Sequence, residues 1–538
     1  MKTYLQNGKG YALLLTLAVL ILFSILGLSL LTLTASGVKK NEMRQYQIQS
    51  QDLADKGITF IVKETQKHLE TVLSNAIKAG QNGITKDAFK IALETAIDNR
   101  KIKCENNNAL EITGNNGSIS KVCIEKIDSV SSDEKDKFKR KVTYRSIGIV
   151  GGKEFTVRQT VILGTDAVPD QLRYAVSTNN GGDLYFHGGV EVQGDIKSDG
   201  DIYINKNAHR VNVFPIWEKS IPLKMIPDNK SVSAKIILKN NEKNIYYYER
   251  ILGSYTSYSS LGRKETINID DNNKMEKIKN ILSESNNISF LTKDLTKDSI
   301  DIPRQIKEIY KKIRKPNYPK LEITSTYQPT STLNKKDIIL VSEETCSNGD
   351  CKLKRTNSTN FSINSKGKTV KLPGSYYING SVNITNTHLL SDAILYVDGS
   401  VTIRESTLNG LTPESTLIIF ATGDIDISNI SEYESTPSII KGFFYTKEDM
   451  TMYGVASNIH ITGGLSAKNL WLTALRGSVD KDFFDSVKGE SPDIQKTKNS
   501  RLKIIYDENL ISEYTSFHRD IGDEFITSIN EPQVLDRY

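Results

Sequence analysis

A run without charge constrains this chain most. From Tyr11 to Val38, in "YALLLTLAVLILFSILGLSLLTLTASGV", no residue carries a charge. A helix needs about 20 apolar residues to cross a bilayer, and secretory apolar cores are shorter, about 7–15. Residues 11–38 are therefore expected to form a membrane-spanning helix. Beyond Lys39 and Lys40 the pattern stays helical, with Leu53, Ile58, Ile61, Val62, Leu69, Val72, Leu73 and Ile77 recurring at spacings of three, four and seven. Only Gly57 interrupts this stretch, and Gly80 marks the expected stop. One long helix should run from the membrane into solution, its outer half packed against something.

With 538 residues the chain is long enough for two or three domains. Its net charge of +6 is small for that length, and Lys and Arg are spread along it, so the charge reads as a solvated surface and no specific nucleic-acid partner is expected. Basic residues lie on both sides of the apolar run, Lys2 and Lys9 before it and Lys39, Lys40, Arg44 and Lys56 after it. Charge alone therefore leaves the orientation open. Four cysteines follow the membrane helix. Cys346 and Cys351 face each other across the Asn-Gly turn of "CSNGDC", and Cys104 and Cys123 flank an Asn/Gly-rich loop. Two local pairs fit disulfides in an oxidising compartment; the other reading is four reduced thiols in the cytosol. There is no CxxC, and the six histidines show no ligand spacing, so no metal and no cofactor are expected.

The leader "MKTYLQNGKG", an aromatic residue, an apolar helix and its amphipathic continuation together resemble type IV prepilins, and most nearly the PilX-type minor pilins. The resemblance implies cleavage between Gly10 and Tyr11 by a prepilin peptidase. It also implies other pilins or pilus assembly proteins as partners. The chain departs from the family at the fifth mature position, where most pilins carry Glu and this chain carries Leu15. Downstream, "SKVCIEKI" and two alternating runs joined at Gly151-Gly152 read as antiparallel strands. Residues 1–10 are thus read as leader, 11–38 as the membrane helix, and 39–165 as a pilin-like unit of helix and strands.

From about residue 170 a short phrase recurs: "LYFHGGVEV", "YYINGSVNI", "LYVDGSVTI", "IIFATGDIDI" and "FFYTKEDMTM". Each is an apolar strand, a corner often holding Gly, then an alternating strand. Corners at Gly380, Gly399, Gly423 and Glu448 are 19, 24 and 25 residues apart. Irregular repeats of this length mark a solenoid, in which stacking buries what one coil cannot. The reading is a parallel β-helix over 170–204 and 374–475, with a β-sandwich as the structural alternative. Val382, Ile384, Val401, Ile403, Ile425, Ile427, Met450 and Met452 should point inward. Ser381, Asn383, Ser400, Thr402, Asp424 and Asp426 should point outward. The Lys/Asn/Tyr-rich residues 205–373 are read as an α+β insertion projecting from one face, with helices at "KMEKIKNILSE" and "IPRQIKEIYKKIRK". Residues 476–538 are read as a C-terminal cap. The tyrosines of "IYYYER" and "YTSYSS" suit sugar or protein contacts if exposed and core if buried.

The fold class is therefore an α+β pilin-like unit followed by a mainly β solenoid. Asp398, Asp424, Asp426 and Asp449 sit at corners, where short polar side chains cap turns. No polygalacturonase or pectate-lyase string, no nucleophile elbow and no phosphate-binding loop is present. The expected function is a non-enzymatic, single-pass membrane protein with its bulk outside the cytoplasm. It would be a minor pilin or pseudopilin-like component displaying a β-helix for adhesion or assembly, with surface polysaccharide or a host or matrix protein as ligand. A membrane-tethered, bactofilin-like cytoskeletal scaffold is the alternative, and a polysaccharide-degrading β-helix enzyme a lesser one.

Overall fold

The computed structural model describes residues 8–79, 84–98, 102–104, 108–114, 117–130, 138–165, 170–210, 216–228, 233–239, 245–248, 264–267, 282, 288–292, 302–303, 306–307, 338–341, 343–347, 350–354, 360–481, 487–507, 510, 525–526, 529–530 and 532–538. The chain divides into two compact units, residues 1–72, 87–166 and 529–538 in one, and 73–86 and 167–528 in the other.

The first unit is built on α1 (Gly8–Lys78), a single helix of 71 residues. Its first half exposes the apolar side chains from Leu13 to Val38. The second half buries a stripe of Ser50, Ala54, Ile58, Ile61, Thr65 and Leu69, spaced by three and four so that one face meets the sheet. That sheet runs in the order β1 (Leu110–Thr113), β2 (Ile119–Asp128), β3 (Lys139–Val150), β4 (Lys153–Gly164), β5 (Gln533–Arg537), and every pairing is antiparallel. Gly151 and Gly152 turn β3 into β4 with φ of 56° and 74°, a left-handed pair that glycine adopts without a Cβ penalty.

Helix and sheet meet through small residues. A Cβ on Gly57 would lie 2.1 Å from Ser120 Oγ, and one on Gly148 would lie 1.9 Å from the Ser50 carbonyl. Gly57, which looks like a break in the helix pattern, is one of the points where α1 comes close against the sheet. Residues 476–538 do not form one cap: their last strand, β5, pairs with β4 and closes the edge of this sheet. The second unit is therefore an insertion between β4 and β5.

The second unit is a large, mostly parallel sheet that the chain visits in two ladders. In one, Phe361, Val382, Val401, Ile425, Met450, Leu470, Leu184, Ile202 and Ile245 are successive partners, and all are buried. In the other, Tyr376, Leu395, Ile419, Phe444, Leu465, Val176, Ile196 and Ile236 are successive partners. Between residues 360 and 474 the chain alternates between the two, and side chains from both share one apolar core. This pairing is consistent with a solenoid. Ile384, Ile403, Ile427 and Met452 lie in that core, while Asn383 and Thr402 face away from it.

The stack does not follow chain order. The rung at Leu470–Ala474 is covered by Leu184–Gly188, so the first strands of the repeat lie beyond the last ones. Residues 205–373 are accordingly not one projecting insertion. Lys224–Ile226, Ala234–Leu238 and Ile245–Tyr248 extend the stack at one end, and Ile338–Val341 and Asn360–Asn364 extend it at the other. These strands lack the Gly corner of the repeated phrase, which is why the repeat could not find them. Of the two expected helices, only Leu282, Ile302, Pro303, Ile306 and Lys307 are among the described residues, and each is helical.

The inserted chain enters and leaves on one rung. Val176–Thr178 pairs with Leu465–Ala467, and Leu502–Ile505 pairs with Ile459–Thr462, on the same strand. The two pieces then pair onward with Ile196–Lys197 and with Glu191–Gln193.

Candidate functional surface

Three features bear on function: the apolar half of α1, the disulfide, and the outer face of the ladder that begins at Phe361. The first needs little geometry. α1 is long and apolar enough to cross a membrane, and it is the one such helix among the described residues. It fits a single-pass anchor. The backbone of Gly10 and Tyr11 lies in its opening turns.

Cys104 and Cys123 form a disulfide with Cα atoms 5.1 Å apart. Cys123 lies midway along β2, so the bond fixes the segment before β1 to the second strand of the sheet. Cys346 and Cys351 are opposite each other in an antiparallel pair, Glu343–Ser347 with Asp350–Lys354. Their side chains lie outside the described residues.

The outer face of the ladder is organised by its corners. Ser400 N–H donates to Ser381 Oγ (3.2 Å), and Asp449 N–H donates to Asp424 (3.2 Å). Asn469 Nδ2 donates to Asp449 (2.8 Å), Asp183 N–H to Asn469 Oδ1 (2.9 Å), and Asp201 N–H to Asp183 (2.7 Å). Each corner side chain thus satisfies the backbone or side chain of the next rung, as capping Asx residues do. Asp398 accepts from Thr422 Oγ1 at 3.0 Å, and Asp426 accepts from Arg404. Burial pushes Asp449 above the ordinary carboxylate range; the Asn469 hydrogen bond opposes the rise and Asp424 adds to it.

Beside the corners runs a row of rings. Trp471, Tyr185, Tyr203 and Tyr246 are in register on successive rungs. Tyr185 stacks on Trp471 at 5.0 Å between centroids and on Tyr203 at 4.8 Å, and Tyr203 stacks on Tyr246 at 5.1 Å. Burial, with nearby carboxylates behind it, raises the hydroxyls of Tyr185 and Tyr203 well above the usual phenol range. The tyrosines of "IYYYER" are therefore spent on the stack: Tyr246 on this row, Tyr247 in the core and Tyr248 buried beside it. "YTSYSS" lies outside the described residues. On the other ladder a second row, Tyr377, Tyr396, Phe420 and Tyr445, faces away from the core and is buried.

One part of the outer face is sealed. The hairpin of Ala208–Arg210 and Ile216–Glu218 is clipped to Thr473, which accepts from His209 N–H (3.0 Å) and donates to the His209 carbonyl (3.1 Å). Under it His187, His209 and Trp217 pack ring to ring, with centroids 4.7–6.1 Å apart. Burial lowers His187 to about 3, helped by His209, and burial lowers His209 to about 4. Sequence reasoning had nothing to find this cluster by, because its members come together only when strand 184–188 and the hairpin meet.

Among the described residues no three His, Cys, Asp or Glu side chains are grouped so as to hold a metal ion. No family model and no curated protein matches the chain. Among solved structures it is similar to the competence-associated pilin ComZ from Thermus thermophilus, at 12% identity and a TM-score of 0.29, over 80% of this chain and 87% of that one.

Proposed function

We propose that this is a minor pilin or pseudopilin-like protein of the cell envelope that carries a closed parallel β-helix outside the membrane, for adhesion or for assembly of a pilus or related machine. One observation carries the reading. The helix that is apolar enough to span a bilayer continues without a break into the helix that packs on an antiparallel sheet, and the whole solenoid is a loop inserted before that sheet's last strand. This is a membrane-anchored head with a display module, and α1 would seat the head close to the bilayer. The Cys104–Cys123 disulfide supports an oxidising compartment and weighs against a cytoplasmic scaffold. Asp398, Asp424 and Asp426 are engaged in turn capping or ion pairing, which supports a binding role over catalysis. Other pilins and assembly proteins are the partners this reading implies.

Processing tests it. In cells that hold a prepilin peptidase, N-terminal sequencing should begin at Tyr11, and Gly10→Val should leave the precursor uncut. A wild-type protein beginning at Met1 counts against a prepilin leader, whatever the solenoid binds.

A further inference from the structure

Where α1 leaves its apolar run it carries three cations close together, Lys39, Lys40 and Arg44, and every residue from Lys39 to Gln45 is exposed. No described residue pairs with any of the three. Glu42, the acid among them, accepts from the Tyr46 hydroxyl at 2.8 Å. The helix period sets what the cations face. Lys39, Met43, Tyr46 and Ser50 follow at spacings of four, three and four, so they share one side of α1. Ser50 is the first residue of the stripe that meets the sheet. Lys39 and Met43 therefore lie on the sheet side of the helix, before the sheet begins, and Lys40 and Arg44, one turn apart, flank them.

The sheet ends at the level of Tyr46. A Cβ on Gly151 would lie 2.8 Å from the Tyr46 ring, so the β3–β4 turn rests against that ring. The β1–β2 turn is at the same end of the sheet, because Ile119 faces both Thr113 and Ile149. Both turns hold glycine, and a Cβ on Gly117 or Gly152 would meet nothing within 4 Å. Lys153 leaves the β3–β4 turn opposite Val150, on the same side as Gly148 and hence toward α1; Glu154 lies opposite Ile149, on the other side. Lys153 is exposed, and no described residue pairs with it either.

Lengths along α1 say what fills the space below these turns. Tyr46 is eight residues past Val38, which is about 12 Å of helix. The polar headgroup layer outside the hydrocarbon core is about 5–8 Å deep on each side of a bilayer. With residues 11–38 in the bilayer, Lys39 stands at the inner boundary of that layer and Arg44 at its outer surface, and any tilt of the helix brings the two sheet turns down toward it. Long basic side chains on this stretch can extend along the helix to the phosphates.

We propose that Lys39, Lys40 and Arg44, with Lys153 above them, seat the phosphate of an anionic phospholipid headgroup, and that this contact holds the two sheet turns on the membrane surface. The ammonium and guanidinium groups supply charge-assisted donors to phosphate oxygens. A zwitterionic headgroup brings a cation of its own, which this group of cations repels. The seat adjoins the span itself, so a lipid is the phosphate carrier that the anchor places there. The inference goes beyond the pilin-like reading and rests only on the anchor; leader processing at Gly10 tests that reading separately.

Full-length protein is placed in nanodiscs of phosphatidylcholine, with and without phosphatidylglycerol, at one copy per disc, and amide hydrogen exchange is followed across residues 149–153. Exchange there should be at least about fivefold slower with phosphatidylglycerol. The difference should shrink in about 1 M salt, where charges are screened within about 3 Å. The triple variant Lys39→Gln, Lys40→Gln, Arg44→Gln should abolish it, and the charge-keeping variant Lys39→Arg, Lys40→Arg, Arg44→Lys should preserve it. All three side chains are exposed, so neither variant disturbs packing. Equal exchange in the two discs, or an undiminished difference in the triple Gln variant, would overturn the proposal. So would equal protection from glycerol phosphate added to phosphatidylcholine discs, which would make this a site for free phosphate. Protection in phosphatidylcholine discs that appears only when two copies share a disc would overturn it in favour of contact between copies.

Discussion

Arg537, next to the last residue, donates to the carboxylate of Asp55 on α1, 482 positions earlier in the chain. The contact shows that the polypeptide returns to its first element after completing the second unit. Both side chains keep substantial solvent exposure. An exposed pair of this kind contributes about 1 kcal/mol at most. Arg537→Ala should therefore shift the urea midpoint of the head only slightly, whereas deletion of residues 529–538, which removes the ladder bonds of β5, should shift it clearly more.

The seam between α1 and the sheet should be intolerant. Gly148→Val would drive its Cβ into the Ser50 carbonyl and the Ala54 amide, which are backbone and cannot swing aside. Overpacking of this kind costs about 1–3 kcal/mol or more. Lys153→Ala, at an exposed site on β4, should stay within about 0.5 kcal/mol of wild type. Chemical denaturation of the two variants side by side checks the difference.

The disulfide Cys104–Cys123 closes a loop with a sequence separation of 19 residues. Loops near that length contribute about 3 kcal/mol through the unfolded chain. Cys104→Ser with Cys123→Ser should lower stability by about that much. A non-reduced digest should contain this bond and a second one, Cys346–Cys351, whose backbone register is that of facing residues.

The ladder makes opposites of neighbours. Ile403 is fully buried between Ile384 and Ile427, while Thr402 faces outward between Asn383 and Asp426. Ile403→Asp buries a charge without a partner and should cost several kcal/mol. Thr402→Asn, which adds no charge beside Asp426, should cost no more than about 0.5 kcal/mol. If the two melt together, the register is wrong.

Stability should fall with acid through the sealed histidine cluster. His187 and His209 titrate near 6.5 when unfolded and near 3 and 4 when folded. As pH drops below about 6.5 the unfolded chain takes up protons that the folded one refuses, so stability is lost through that window and the loss levels off below the folded values. Denaturation midpoints at pH 7 and pH 5 should differ more for wild type than for His187→Gln.

Legibility in the sequence followed periodicity. The membrane run, the Gly151-Gly152 hairpin and the alternation at Val382, Ile403 and Met450 were all readable, because each is a local pattern with one physical cause. The order of the rungs was not. That Leu470 is covered by Leu184 is a matter of which apolar edge meets which, and both edges look alike in one dimension. The last strand hid for a different reason: "QVLDR" is exposed at all five positions, so it carries no buried alternation to betray it. Gly57 and Gly148 were legible as glycines but not as a seam, since only the partner surface gives them a purpose.

The way the second unit is spliced into the first sets how tension would enter the antiparallel sheet. β4 ends and β5 begins at the same end of an antiparallel pair, since Ile162 faces Gln533 there and Gln159 faces Arg537 at the far end. A pull on the inserted unit would therefore reach this sheet through two adjacent strands at once, not through one. The hydrogen bonds between β3 and β4 run across the strands, so a pull along β4 loads them side by side. They would have to yield together and not one after another. The splice is therefore doubled: two neighbouring strands, not one, join the inserted unit to the sheet.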